Sequence, residues 1–331
     1  MRSLAYIFLE PVNLRQIMNN FDNNYIHLSD HRSSITTVFL VFVLSLIGFY
    51  VVGPGIGFLF ALPFYEGSLL DFQSAFANPF ENPSLKTPIY IIQGMATMTG
   101  TIVVPLLYLF VAEKKRVGIF FKKQVGLLPI LLAGIIVITF MGVNSIVIDW
   151  NANISFPEFM SGFENWAKET EELAAKTTAY LTTFSGLPQF FLAFIVIAIL
   201  PAVGEELLFR GFLQNGFHGI TKNIHVAIWI SAILFSTIHM QFYGFVPRML
   251  LGALFGYLYY WSGNLFIPIF AHLVNNGLTL ILFYLHDIGV IETDMTNTEA
   301  APLYAVGIFA IITAALLHYF RNYFLKAPHT Q

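Results

Sequence analysis

The placement of eight apolar stretches constrains this chain more than any other feature of its sequence. They fall at about 35–64, 88–112, 126–148, 186–204, 224–243, 246–262, 265–285 and 302–320. A helix that crosses the hydrocarbon layer needs about 20 residues, each adding about 1.5 Å. The pattern predicts an all-α polytopic membrane protein with about eight transmembrane helices. Only 11% of the residues are charged and 56% are hydrophobic, so lipid has to be the solvent for much of the surface. The first stretch is longer than one crossing requires. Gly53-Pro54-Gly55 is expected to end its helix, and Pro63 to mark the loop that follows.

Basic residues predict the orientation. Lys114, Lys115, Arg116, Lys122 and Lys123, against the single acid Glu113, place the loop after the second stretch in the cytoplasm. Both termini then lie on that side. The loops expected outside are poor in Lys and Arg: 65–87 has Lys86 alone, 286–302 has none, and 149–185 has Lys168 and Lys176. Arg248, near the turn after Met240, fits this pattern less well and is assigned to a helix end facing headgroups. The expected division is a cytosolic or interfacial arm (1–34), N-terminal membrane helices with an external loop (35–185), a membrane core (186–285), and a last loop, helix and cytoplasmic tail (286–331). In the long external loop, Phe159, Phe163, Trp166 and Leu173 recur at helical spacing, which predicts an amphipathic interfacial helix, with a plain solvated lid as the alternative. A net charge of -3 gives no electrostatic footprint for nucleic acid, so the bilayer and membrane-associated molecules are the expected partners. The absence of cysteine excludes disulfides, thiolate catalysis and Cys-ligated metals.

Ionisable side chains inside membrane helices are costly, about 2.5–3.5 kcal/mol each on insertion scales, so their positions carry information. Here they concentrate in one half. The run LPQFFLAFIVIAILPAVGEELLFRGFL acquires Glu205, Glu206 and Arg210. Further on, LFSTIHM holds His239, and IFAHLVNN holds His272, Asn275 and Asn276. On a helix Glu206 and Arg210 are i and i+4 neighbours that can pair, whereas Glu205 points about 100° away and is free for other work. His272 and Asn276 also stand one turn apart on one face, and Phe235 precedes His239 by one turn. A carboxylate, two imidazoles and an amide from three helices can therefore converge in one polar cavity within the membrane. Read singly, the Glu206–Arg210 pair is more simply structural than chemical. Gly252 and Gly256 read as a helix-packing face, and His218, Lys222 and His225 as groups of cytoplasmic turns or helix ends.

Glu205-Glu206-x-x-x-Arg210, Phe235-x-x-x-His239 and His272-x-x-x-Asn276, in that order on successive membrane segments, resemble the CPBP intramembrane proteases. That family includes the type II CAAX prenyl endopeptidases and the bacterial Abi-type proteins. The resemblance implies hydrolysis of a peptide bond in a membrane-associated peptide or protein, either prenylated and CAAX-like or of bacteriocin or pheromone type. It also implies residence in a bacterial plasma membrane. Glu205 would be the general base, with His239 holding the water, His272 and Asn276 stabilising the oxyanion, and Glu206, Arg210 and Phe235 supporting the site. The family is described both as metalloproteases and as metal-independent glutamate proteases. Glu205, His239 and His272 would be the ligands of a Zn²⁺ ion, but HExxH is absent and Asn is a poor zinc ligand, so the expectation is catalysis without a cofactor. An ion- or proton-coupled transporter using the same polar groups is the alternative from another class. A catalytically silent membrane scaffold is a third reading.

Overall fold

Prolines fall inside the apolar stretches at positions 54, 105 and 201, and what the chain does at each sets the length of its helices. The structure, a computed structural model, describes residues 21, 24–65, 67–76, 79–292 and 298–326. Most of the expected N-terminal arm, residues 1–20 and 22–23, lies outside the described residues. At none of the three prolines does the helix break. A proline lacks the N–H that would bond the carbonyl four residues back, and its ring crowds that carbonyl. In each case the preceding turn widens into a π segment that ends two residues earlier: Gly48–Val52 before Pro54, Met98–Val103 before Pro105, and Phe194–Ile199 before Pro201. Bonds such as Gly53 N–H to Gly48 O, five residues apart, carry the helix across the gap. The expectation that Gly53-Pro54-Gly55 ends a helix is therefore corrected.

The main helices, in chain order, are α1 Ser34–Phe64, α2 Pro83–Ala112, α3 Leu127–Ala152, α4 Ser161–Thr182, α5 Leu187–Thr221, α6 Ile224–Thr237, α7 Phe245–Ser262, α8 Phe266–Asp287 and α9 Leu303–Lys326. Six of them, α1, α2, α3, α5, α8 and α9, are long and apolar enough to cross a membrane. Large apolar side chains such as Phe39, Val51 and Leu59 on α1, Val111 on α2 and Ile311 on α9 point outward, a surface that lipid rather than water accommodates. The protein is an all-α integral membrane protein. Of the eight stretches read in the sequence, 224–243 and 246–262 form the shorter helices α6 and α7. With 14 residues, α6 spans only about 21 Å at 1.5 Å per residue, against a hydrocarbon thickness of about 30 Å. Among the described residues the one β feature is an isolated bridge between Phe121 and Asn264.

Close packing is written in glycine. A Cβ on Gly53 would lie 2.6 Å from Ala96 Cα, and one on Gly57 would lie 2.7 Å from Ile92 Cα. The α1 and α2 backbones approach each other along this small-xxx-small stripe. Gly252 and Gly256 on α7 act alike against α5: their carbonyls accept from Arg210 Nη2 at 2.8 Å and Gln214 Nε2 at 3.1 Å. One apolar cluster joins α3, α6, α7, α8 and α9 through Ile136, Ala232, Phe255, Ala271 and Phe320, all buried. Phe209, Phe212 and Leu213 of α5 centre a second.

The helix predicted in the long loop is α4, and its apolar residues divide between two faces. Phe159, Trp166 and Leu173 are exposed on one stripe. Phe163, also partly exposed, bridges Trp166 to an aromatic cluster with Phe156 and Phe242, and Ala167 is fully buried. This inward face seats α4 on the turn between α6 and α7.

Candidate active site

Continuation of α5 through Pro201 changes where its charged residues sit. The helix has 35 residues, and Glu205 and Glu206 lie near its middle rather than near a cytoplasmic end. Because α5 runs on past Pro201 and α6 stops at Thr237, Glu205 and His239 both line one cavity of about 280 Å³. Its other walls are mainly apolar, with Phe42, Leu46 and Phe49 from α1 and Leu208 from α5. Tyr50 and Thr101 also line it. Each stands four residues before a proline, so two of the widened turns pack around this space.

Glu206 and Arg210 are fully buried on α5, and a second π segment, Leu207–Gln214, begins between them. Arg210 Nη1 donates to Glu206 Oε1 at 2.6 Å. Its guanidinium lies over the Phe235 ring at 4.8 Å and the Phe255 ring at 5.4 Å, a cation–π sandwich between α6 and α7. Glu206 does more than pair with arginine. The same Oε1 meets His272 Nδ1 at 2.8 Å, so Nδ1 carries the hydrogen, and the His272 ring is stacked on Phe255. His272 Nε2 then faces Glu205 Oε2 at 4.0 Å.

His239 lies just past the end of α6. Its Nδ1 is 2.7 Å from Phe235 O, and a carbonyl can only accept, so Nδ1 is the donor and Nε2 presents a lone pair. The bond also satisfies a carbonyl of the last helical turn. Met240 follows with φ +57°, a left-handed conformation that costs a side-chain-bearing residue about 1–2 kcal/mol and sharpens the exit from the helix.

Asn276 faces α5, where Nδ2 donates to Ile197 O at 3.1 Å. Ile197 is four residues before Pro201, so the amide supplies a hydrogen bond to the carbonyl that proline cannot serve. Asn275 Nδ2 donates to Asn276 Oδ1 at 3.0 Å, fixing the amide and leaving one Nδ2 hydrogen of Asn276 for other use. Thr101 and Gly204 explain how α2 can press on α5 here. A Cβ on Gly204, beside Glu205, would fall 1.9 Å from Thr101 Oγ1.

Among the described residues no three His, Cys, Asp or Glu side chains form a group that could hold an ion. Arg248, expected at a helix end, stands in the first turn of α7 and is partly buried against the α6–α7 turn, with Nη2 donating to Gln241 Oε1 at 2.8 Å. Its basic-residue signal was visible, but nothing in the sequence showed that the α6–α7 turn folds inward.

Residues 187–278 match the family model for type II CAAX prenyl endopeptidases, Rce1-like. Two Bacillus subtilis (strain 168) proteins are similar over part of the chain. The uncharacterized protein YpbD is 32% identical over 84 residues, covering 24% of this chain and 40% of its own. The putative membrane peptidase YdiL is 29% identical over 106 residues, covering 32% of this chain and 42% of its own. The matches thus span about two fifths of the length of these curated relatives. No solved structure matches the chain.

Proposed function

We propose, from the premise that residues 187–278 of this membrane helix bundle carry a type II CAAX prenyl endopeptidase Rce1-like segment, that the protein is an intramembrane endopeptidase. The observation that carries the reading is the cavity shared by Glu205 and His239, apolar on its other walls and backed by the buried Glu206–Arg210–His272 cluster. A membrane-associated peptide fits such walls, while water has to be held at the polar end.

Glu205 accepts a proton from that water, whose other hydrogen bonds the free Nε2 of His239. The hydroxide formed adds to the scissile carbonyl carbon. Negative charge on the carbonyl oxygen is met by the His272 imidazole, held in place through Nδ1 by Glu206, and by the remaining Nδ2 hydrogen of Asn276. A preorganised donor of this kind in a dry site contributes about 2.7–4 kcal/mol. Glu205 returns the proton to the leaving nitrogen as the C–N bond breaks, giving an amine and a carboxylic acid that then ionises. The substrate class is a prenylated CAAX-like or a bacteriocin- or pheromone-type peptide.

The test is hydrolysis of prenylated and unprenylated membrane-peptide reporters by purified protein in lipid discs, wild type beside Glu205→Gln, each with and without a strong zinc chelator. Cleavage by wild type that is lost in the variant and indifferent to chelator is the expected result. Loss with chelator and recovery with Zn²⁺ would replace the metal-free scheme with a metalloprotease. Absence of cleavage for every reporter would reject the protease reading.

A further inference from the structure

The turn between α6 and α7 holds a second polar assembly, which begins at Gln241, two residues after His239. Arg248, in the first turn of α7, folds back over Gly244, where a Cβ would lie 3.0 Å from Nη2. Nη2 donates to Gln241 Oε1 at 2.8 Å, and Gln241 Nε2 donates to Glu171 Oε1 on α4 at 3.3 Å. The amide of Gln241 thus stands between a cation and an anion and keeps them from closing into a direct ion pair. In consequence Arg248 Nη1 and Glu171 Oε2 are both buried without a hydrogen-bond partner.

A partly buried guanidinium whose hydrogen-bonding partner is a neutral amide and which keeps a free donor is shaped for a carboxylate, which it grips through two parallel N–H bonds. We propose that Arg248 is the substrate-carboxylate receptor of this site, binding a carboxylate of the peptide on the opposite side of the scissile bond from the segment held in the apolar cavity. The inference rests on the endopeptidase reading and adds to it a requirement for negative charge at a defined place in the substrate. The carboxylate can be the free C-terminus or an acidic side chain. Gln241 is the positioning residue that keeps Nη1 unpaired, and α4, through Glu171, covers the receptor.

The experiment compares matched reporters: free acid against C-terminal amide, and Asp against Asn at each of the three residues after the cleaved bond. Wild type is expected to favour the carboxylate form by about tenfold or more in kcat/KM, mostly through KM. Arg248→Gln should erase that preference while still cutting the neutral reporter, and Arg248→Lys should retain part of it. Gln241→Glu, which gives Arg248 an internal carboxylate, should erase it as well and guards against misfolding of the Arg248 variants. Whether the acid–amide pair or an Asp–Asn pair responds identifies the source of the carboxylate. Binding of fluorescent acid and amide peptides to Glu205→Gln protein in lipid discs provides a readout that needs no turnover, so failure of the endopeptidase reading leaves this one testable. An acid-to-amide ratio and an Asp-to-Asn ratio that are unchanged by Arg248→Gln, in cleavage or in binding, would overturn the proposal.

Discussion

Glu206 has no exposed surface and holds both Arg210 and His272 on one oxygen, whereas Glu205, the next residue, turns to the cavity with 15% of its side chain exposed. Removing charge from each should therefore act on different quantities. Glu205→Gln is expected to lower kcat by about 10²–10⁴-fold, the range for a positioned general base, and to leave the melting temperature in detergent unchanged. A variant that kept its rate would move the base elsewhere. Glu206→Gln leaves Arg210 as a buried cation without its counter-charge and should destabilise the fold by about 3–5 kcal/mol. Arg210→Ala, which removes the cationic partner of Glu206 and the donor to the Gly252 carbonyl, should reduce folded protein in the same way. A stable but inactive Arg210→Ala protein would contradict the support role. The i and i+4 spacing of Glu206 and Arg210 made their pairing legible in the sequence. The His272 contact was not, because it depends on how α8 is rotated against α5, and residues 66 positions apart have no sequence-local relation.

At the scale of the helix, proline is where sequence reading and structure part. A missing N–H is visible in the sequence, but the one-residue widening that lets α1, α2 and α5 pass it is not. Apolar composition likewise ran on past Thr237 and hid the point at which α6 stops and His239 turns inward. Asn276 shows what the widening at Pro201 leaves behind: its Nδ2 serves the Ile197 carbonyl. If that is the amide's structural task, it should matter less when residue 201 can donate for itself. We expect Asn276→Ala to destabilise the wild-type helix bundle more than it destabilises a Pro201→Ala background. The two substitutions should couple by about 0.5–3 kcal/mol in unfolding experiments in detergent. Equal costs in the two backgrounds would show that the bond to Ile197 contributes nothing to holding α8 on α5. Activity provides an independent readout: loss of hydrolysis in Asn276→Ala even where Pro201→Ala has restored stability would assign the second Nδ2 hydrogen to the oxyanion.

For the molecule as a whole, the all-α membrane class followed from apolar stretches alone, because lipid demands internally bonded backbone and outward apolar side chains together. Sidedness is a separate question, since helix packing is indifferent to which face of the membrane is cytoplasmic. The argument for it is the charge bias: five basic residues from Lys114 to Lys123, against the basic-poor loops 65–87 and 286–302. The absence of cysteine allows a direct measurement without first removing native thiols. Lys114→Cys and Thr298→Cys place single thiols at exposed positions on the two faces expected to be opposite. In intact cells a membrane-impermeant thiol reagent should label the Thr298→Cys protein at once and the Lys114→Cys protein only after the membrane is opened. The reverse pattern would invert the topology and put α4, which covers the α6–α7 turn, on the cytoplasmic side. Peptide substrates would then have to reach the Arg248 end of the site from within the cell rather than from outside it.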